Sequence, residues 1–235
     1  MKTILAFETS GPVLSVALGA RNGRVREARA NGRLQHSENL ILLMERLLKK
    51  ERLGLNGIDA FAINRGPGSF TGLRIGFSFL KGFLAVRKRP CYGALSLDMI
   101  AAAVDLTEAS RLGVLVDARR DRIYTRFYRS RKGEWAAERR LELLTLPELK
   151  QRISEETALV GDGLVRYGEG LRETFGQRIR FLKEDAYFPT AGILVRWFQA
   201  RDPRLQPLRS VRDFLPLYFR ASEAEEKRKE ASRGR

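Results

Sequence analysis

The chain has 235 residues, and 44 Lys plus Arg against 28 Asp plus Glu give it a formal net charge of +16. Hydrophobic residues make up 43%, enough for a core, while 31% charged residues with 21 Gly and only 8 Pro match neither a disordered nor a collagen-like chain. One cysteine, Cys91, and one histidine, His36, exclude an internal disulfide framework and every zinc site built from Cys and His.

In chain order, Thr3 to Glu8 and Val13 to Gly19 read as strands joined by Ser10-Gly11-Pro12, and Asn22-Gly23 turns into a third strand at about Arg24 to Arg29. Ser37 is expected to cap a helix running to about Arg52, after which Asp59 to Asn64 forms a short buried strand entering a glycine-rich loop. A helix from about Thr71 to Arg87, a strand at Cys91 to Ala94 and a helix from Ser96 to about Leu106 follow. The order then recurs. Strands at Gly113 to Ala118, Ile123 to Tyr128 and Trp135 to Leu143 precede a helix at Leu146 to Ile153, a strand at Ala158 to Gly161 and a helix at Leu164 to Phe175. A strand-rich unit duplicated in this way predicts an α/β fold of two ribonuclease-H-like lobes, of the actin-like/Hsp70-like ATPase-domain kind. The first lobe is expected at 1–106 and a second, smaller lobe at 107–220. A helix is expected at Ala191 to Ala200, and the C-terminal segment of the second lobe is expected to pack back on the first, leaving a charged tail at 221–235 that has no apolar surface to offset its ordering entropy. The longest aliphatic run, Leu40 to Met44, is five residues against the roughly 20 a membrane helix requires, so no membrane span is expected. The start shows no secretory signal, and with a lone cysteine the expected setting is the reducing cytoplasm.

The sharpest feature is Arg65 to Gly76, RGPGSFTGLRIG, between a strand and a helix. Gly66 and Gly68 permit tight turns and close approach, and Ser69 or Thr71 can cap a helix whose N–H groups favour an anion. The loop is neither a Walker loop nor GxGxxG, and a tight structural corner explains it as well as a phosphate cradle does. Thr9 and Ser10 after the first strand, Asp117 at the end of another, and Gly161 and Gly163 around Asp162 stand at strand ends, where open α/β sheets place their sites. Each Asp reads equally well as the cap of the turn that follows it. With Thr9, Ser10, Gly66, Gly68, Ser69, Asp117, Gly161 and Gly163, the set is a candidate phosphate or nucleotide contact.

Leu40, Ile41, Met44, Leu47 and Leu48 spread apolar surface over more of their helix than one core face uses. Gly72 and Gly76, four apart, with Phe77 and Leu80, give the next helix a face open to close approach. The set is a candidate subunit interface; burial inside the monomer is the alternative. His36 would need a second histidine at position 40 for an HxxxH metal site, and Leu40 stands there, so no metal is expected. Arginines run through 21–33, 119–132 and 201–212, which suits phosphate-backbone contact or simply a solvated basic surface.

The strings ILAFETS, HSENLI, RGPGSFTGLRIG, GALS, DARRDRIY, GDG and PLYFR, in this order up to about Arg220, resemble the TsaB family. The resemblance implies an actin-like fold and a noncatalytic scaffold or activating subunit of the bacterial machinery that makes threonylcarbamoyladenosine in tRNA, with no cofactor and no catalytic residues of its own. It implies pairing with the catalytic paralogue TsaD through a bundle of first-lobe helices, an ATPase, TsaE, in the complex, and a homodimer through the same face. Contact with tRNA through the basic surface is open. The metal-bearing paralogue has HxxxH in the matching helix, so Leu40 marks a chain without the metal. Glu8 where the family usually has Asp, Arg122 where an acidic or polar residue follows DAR, and Phe219 in place of Leu depart from the pattern. The competing readings are a nucleotide-binding phosphotransferase or ATPase of the same fold, and a basic RNA-binding protein.

Overall fold

The structure is a computed structural model that describes residues 2–31, 36–153, 156–183, 187–209, 215 and 217. The elements in order are β1 (Ile4–Glu8), β2 (Val13–Gly19), β3 (Val25–Asn31), α1 (His36–Lys50), β4 (Ala60–Asn64), α2 (Phe70–Val86), β5 (Cys91–Ala94) and α3 (Ser96–Ala102). Then come β6 (Arg111–Asp117), β7 (Ile123–Arg131), β8 (Glu134–Ala137), β9 (Glu142–Leu144), α4 (Leu146–Arg152), β10 (Thr157–Val160), α5 (Gly163–Phe175), β11 (Ile179–Phe181), α6 (Ala191–Ala200) and β12 (Gln206–Pro207).

Two sheets have one plan. The first runs β12-β5-β4-β1-β2-β3 and the second β11-β10-β6-β7-β8, with β9 also on β7. In each, a meander of antiparallel strands is extended on the far side of its first strand by two parallel ones. This is a ribonuclease-H-like lobe present twice, the two-lobed actin-like arrangement that the repeated element order predicts.

Period-two alternation explains how the first sheet is covered on both faces. Leu5, Phe7, Phe61 and Ile63 point into one core with α1 and α2, while Ile4, Ala6, Ala60 and Ala62 point into another with α6. The alanines let α6 come close: a Cβ on Gly19 would lie 2.5 Å from Val195 Cγ1. The helix at 191–200 therefore belongs to the first sheet's layers, and β12 pairs with β5 at that sheet's edge. In the second lobe, α4 and α5 lie with the second sheet, and α3 joins the same core through Leu97, Ile100 and Ala101.

Several boundaries differ from the sequence reading. Ser37 lies in the first turn of α1 rather than before it, since the helix starts at His36. The strand expected at Trp135 to Leu143 is two, β8 and β9, with 138–141 between them, although Glu138 N–H still donates to Phe127 O of β7 at 2.9 Å. α3 ends at Ala102, four residues early. β11 and β12 lack the alternation or length that marks a strand, and only their neighbours make them strands. The tail at 221–235, and all of PLYFR except Leu217, lie outside the described residues. Among the described residues no helix is long and apolar enough to cross a membrane.

Candidate functional site

A cleft of about 430 Å³ opens between the lobes. Its first-lobe wall is the β1–β2 turn and the loop from β4 into α2; its second-lobe wall is the β6–β7 turn with Tyr124 and Asp162, and Tyr187 and Phe188 close one side. Ser10, Gly68, Ser69 and Asp117 of the candidate phosphate set line it, while Thr9, Gly66, Gly161 and Gly163 stand behind the wall.

The glycine-rich loop is a tight corner locked onto the β1–β2 turn. Ser69 N–H donates to Ser10 O at 2.7 Å, and a Cβ on Gly68 would lie 2.6 Å from that same oxygen. Ser69, not Thr71, caps α2, its Oγ accepting from Gly72 N–H at 3.2 Å. Gly66 has φ +96°, and its N–H donates to Asn64 Oδ1 at 2.8 Å. At the other end, Gly161 has φ +111° and passes so close to Leu115 that a Cβ would lie 2.1 Å from its carbonyl oxygen. Gly163 packs against the same residue. The glycines of both loops are thus explained by close backbone approach.

Behind the loop lies a buried polar cluster. Glu8, with no exposed surface, accepts from Ser10 N–H and Ser10 Oγ, both at 2.6 Å, and from Asn64 Nδ2. Asn64 Oδ1 also accepts from Ser96 Oγ at 3.0 Å, tying α3 to the cluster. Burial pushes the Glu8 carboxyl up to about 7, although Ser10, Asn64 and Gly11 all donate to it and pull the other way. The cluster meets the cleft through Ser10 and Ser96, which line it, while Glu8 itself has no exposed surface. Sequence reading placed Glu8 at a strand end but missed its partners; the polar Asn64 ending an otherwise apolar strand was the signal.

Asp117 does line the cleft, and its carboxylate is occupied by the turn it begins. Oδ1 accepts from Arg119 N–H at 2.8 Å and Oδ2 pairs with Arg119 at 3.1 Å. Arg119, Arg120 and Asp121 follow with φ of +61°, +48° and +56°, a left-handed stretch of non-glycine residues that aims the two arginines at the cleft rim. Asp162 Oδ1 accepts from Asp117 N–H at 3.0 Å, so the two aspartates fix loop geometry. Elsewhere, Cys91 is buried and its thiol is pushed up to about 12 by desolvation, leaving no thiolate at neutral pH. Among the described residues no three His, Cys, Asp or Glu side chains gather as metal ligands.

The candidate interface residues divide sharply. Leu40, Met44, Leu47, Leu48, Phe77 and Leu80 are buried in this chain's own core, and Gly72 and Gly76 serve internal packing. A Cβ on Gly72 would lie 2.0 Å from Thr9 O, and one on Gly76 2.5 Å from Thr9 Oγ1. The alternative, burial inside the monomer, describes these side chains in the single chain, where they hold α1 and α2 onto the sheet. Of the set only Ile41 is exposed, at 44%, and Leu42 beside it is exposed at 49%.

A family model described as "TsaD: tRNA N6-adenosine threonylcarbamoyltransferase" matches residues 31–143. The chain is 31% identical over 166 residues to the tRNA threonylcarbamoyladenosine biosynthesis protein TsaB of Escherichia coli, a match covering 68% of this chain and 71% of that one. To the protein of the same name from Haemophilus influenzae it is 34% identical over 123 residues, and there it spans about half of the relative, 52%. The solved structure titled "YeaZ from Pseudomonas aeruginosa" superposes with a TM-score of 0.73 at 27% identity, covering 93% of this chain and 100% of that one.

Proposed function

The chain belongs to the TsaB family, and on that premise we propose that it is a noncatalytic activating subunit of the machinery that makes threonylcarbamoyladenosine in tRNA. In this reading it docks the catalytic paralogue TsaD, in the cytoplasm, within a complex that also contains the TsaE ATPase. One observation carries the docking surface: Ile41 and Leu42 project adjacent apolar side chains from α1 while the rest of that helix's apolar stripe is spent on the chain's own core. Partly buried Ile75 and Phe79 of α2 continue the apolar character of this helical layer. A pair of paralogous subunits, or two copies of this chain, could share such a face by packing helices against helices.

The buried Glu8 and the turn-capping Asp117 support a noncatalytic role, since Glu8 has no exposed surface and the Asp117 carboxylate is held by its own turn. A phosphotransferase or ATPase of the same fold remains the competing reading, favoured by the cleft with Arg119 and Arg120 at its rim. The deciding experiment measures threonylcarbamoyladenosine on tRNA with purified TsaD, TsaE, the adenylate-forming enzyme, ATP, threonine and bicarbonate, with and without this chain. Product that depends on the chain, with no ATP turnover by the chain alone, is the expected result. Equal product in both tubes removes the activating role, and ATP hydrolysis by the isolated chain supports the enzyme reading.

A further inference from the structure

A second concave surface lies on the outer side of the second lobe, away from α1 and from the interlobe cleft. It is a groove of about 500 Å³, and its lining includes five arginines, Arg111, Arg129, Arg131, Arg139 and Arg152, against a single acid, Glu138. Strand geometry gathers them. Phe127, Arg129 and Arg131 alternate onto one face of β7, Arg111 faces Arg129 across the β6–β7 pair, and Arg152 comes from the last turn of α4.

This arrangement is costly for a purely structural surface. Like charges directly opposite on paired strands destabilise a sheet, and here Glu138 bridges the pair. It accepts from Arg111 at 3.0 Å and from Arg129 at 2.8 Å. Arg111 is then fixed as a platform: it is nearly buried, its guanidinium lies 4.3 Å from the Phe127 ring centroid, and it donates to Thr157 Oγ1 and Arg152 O. Arg152 pairs with Glu142 at 3.0 Å. Arg131 and Arg139 remain exposed, and among the described residues neither guanidinium has a carboxylate partner. With Glu138 shared by Arg111 and Arg129, and Glu142 held by Arg152, the exposed Arg131 and Arg139 give the groove its surplus of positive charge.

We propose that this groove binds the phosphodiester backbone of RNA. Guanidinium groups match phosphate oxygens with paired N–H donors, and the groove is built from arginine with no lysine among its lining residues. Two residues along a strand separate Arg129 from Arg131 by about 7 Å, on the order of the spacing between neighbouring phosphates of one strand. The aromatic surface, Phe127, is buried beneath Arg111 and offers no platform for base stacking, so contact runs to the backbone and carries little sequence preference. The site is independent of the docking of TsaD: it acts in the isolated chain and on a different lobe.

The test is fluorescence anisotropy of a labelled RNA stem-loop with the isolated full-length chain, titrated at KCl from about 50 to about 200 mM. With three or four phosphates contacted, the logarithmic salt slope should be about −3. The R131E/R139E pair should lower affinity at least about tenfold and flatten the slope by about 2, with R131Q/R139Q intermediate. K88E/K183E changes net charge equally at exposed lysines outside the groove and should lower affinity by less than about threefold. Thermal midpoints of all variants should stay near wild type, because the replaced side chains are exposed. Equal weakening by both glutamate pairs, no RNA binding by wild type, or competition by polyglutamate as strong as by unlabelled RNA would each overturn the proposal. None of these outcomes bears on activation of TsaD, which is read by product formation.

Discussion

Glu8 is a carboxyl group enclosed at the end of a central strand, and its ionisation opposes folding. Its folded value of about 7 lies above the ordinary 4.5, so between these limits the folded chain holds a proton that the unfolded chain has released. Stability from this group is therefore full below about pH 4.5 and lost as pH rises through 7, by about 3 kcal/mol in total. Urea unfolding from pH 5 to 8 should show wild-type stability falling with pH, and Glu8→Gln should remove that slope. At the same scale, two glycines on one helix should respond with opposite sign to the same change. Gly72→Ala drives a Cβ to 2.0 Å from Thr9 O and should cost at least about 2 kcal/mol, whereas a Cβ on Gly82 meets nothing within 4 Å and Gly82→Ala should gain about 0.5–1 kcal/mol. Denaturation midpoints of the two variants check both. Thr9 Oγ1, buried and without a hydrogen-bond partner among the described residues, lies where a Cβ on Gly76 would come within 2.5 Å, so α2 is pressed closely onto this turn.

Elements carry function here through the side chains they do not need internally. α1 buries Leu40, Leu43, Met44, Leu47 and Leu48 and leaves Ile41 and Leu42 outside. Ile41→Glu with Leu42→Glu should abolish association with TsaD while moving the thermal midpoint little. Met44→Glu should unfold the chain, since an unpaired buried charge costs several kcal/mol. Size-exclusion chromatography with a thermal scan separates the two outcomes. The sequence showed that the helix has more apolar surface than one face requires, because spacing along a helix is local. Which half of the surplus faces the sheet depends on the packing angle of α1 against β2 and β3, and nothing local encodes that. α6 makes the same point at its start: Thr190 gives it no side-chain cap, and Ser15 Oγ from β2 and Glu27 from β3 accept from Ala191 and Gly192 N–H instead, each at 2.8 Å. By contrast α4 is capped locally, by the reciprocal Thr145 and Glu148 bonds, and its start was legible at once.

The two lobes form one body because α3, from the first, is packed into the core of the second. Asp98 on α3 accepts from Arg126 at 2.8 Å and from Tyr128 at 2.6 Å, both on β7. Burial, then the Asp98 charge, pushes the Tyr128 phenol well above its usual value, so it stays a donor. Asp98→Ala would strand the Arg126 charge and should cost about 3 kcal/mol. Trp197 on α6 and Trp135 on β8 report the two lobes separately, so single-tryptophan variants should unfold together in the parent and at different urea concentrations after Asp98→Ala. The sequence by itself determined the duplicated lobe plan and the family, because these rest on short-range periodicity, turn chemistry and one specific string. Only the tertiary structure decided that Glu8 is fully buried, that the glycine-rich loop is a tight corner, that Gly72 and Gly76 serve the chain's own packing, and that arginines from 111 to 152 share one groove. Those outcomes depend on which strands lie side by side and how closely helices approach them, and residues far apart in the chain set both.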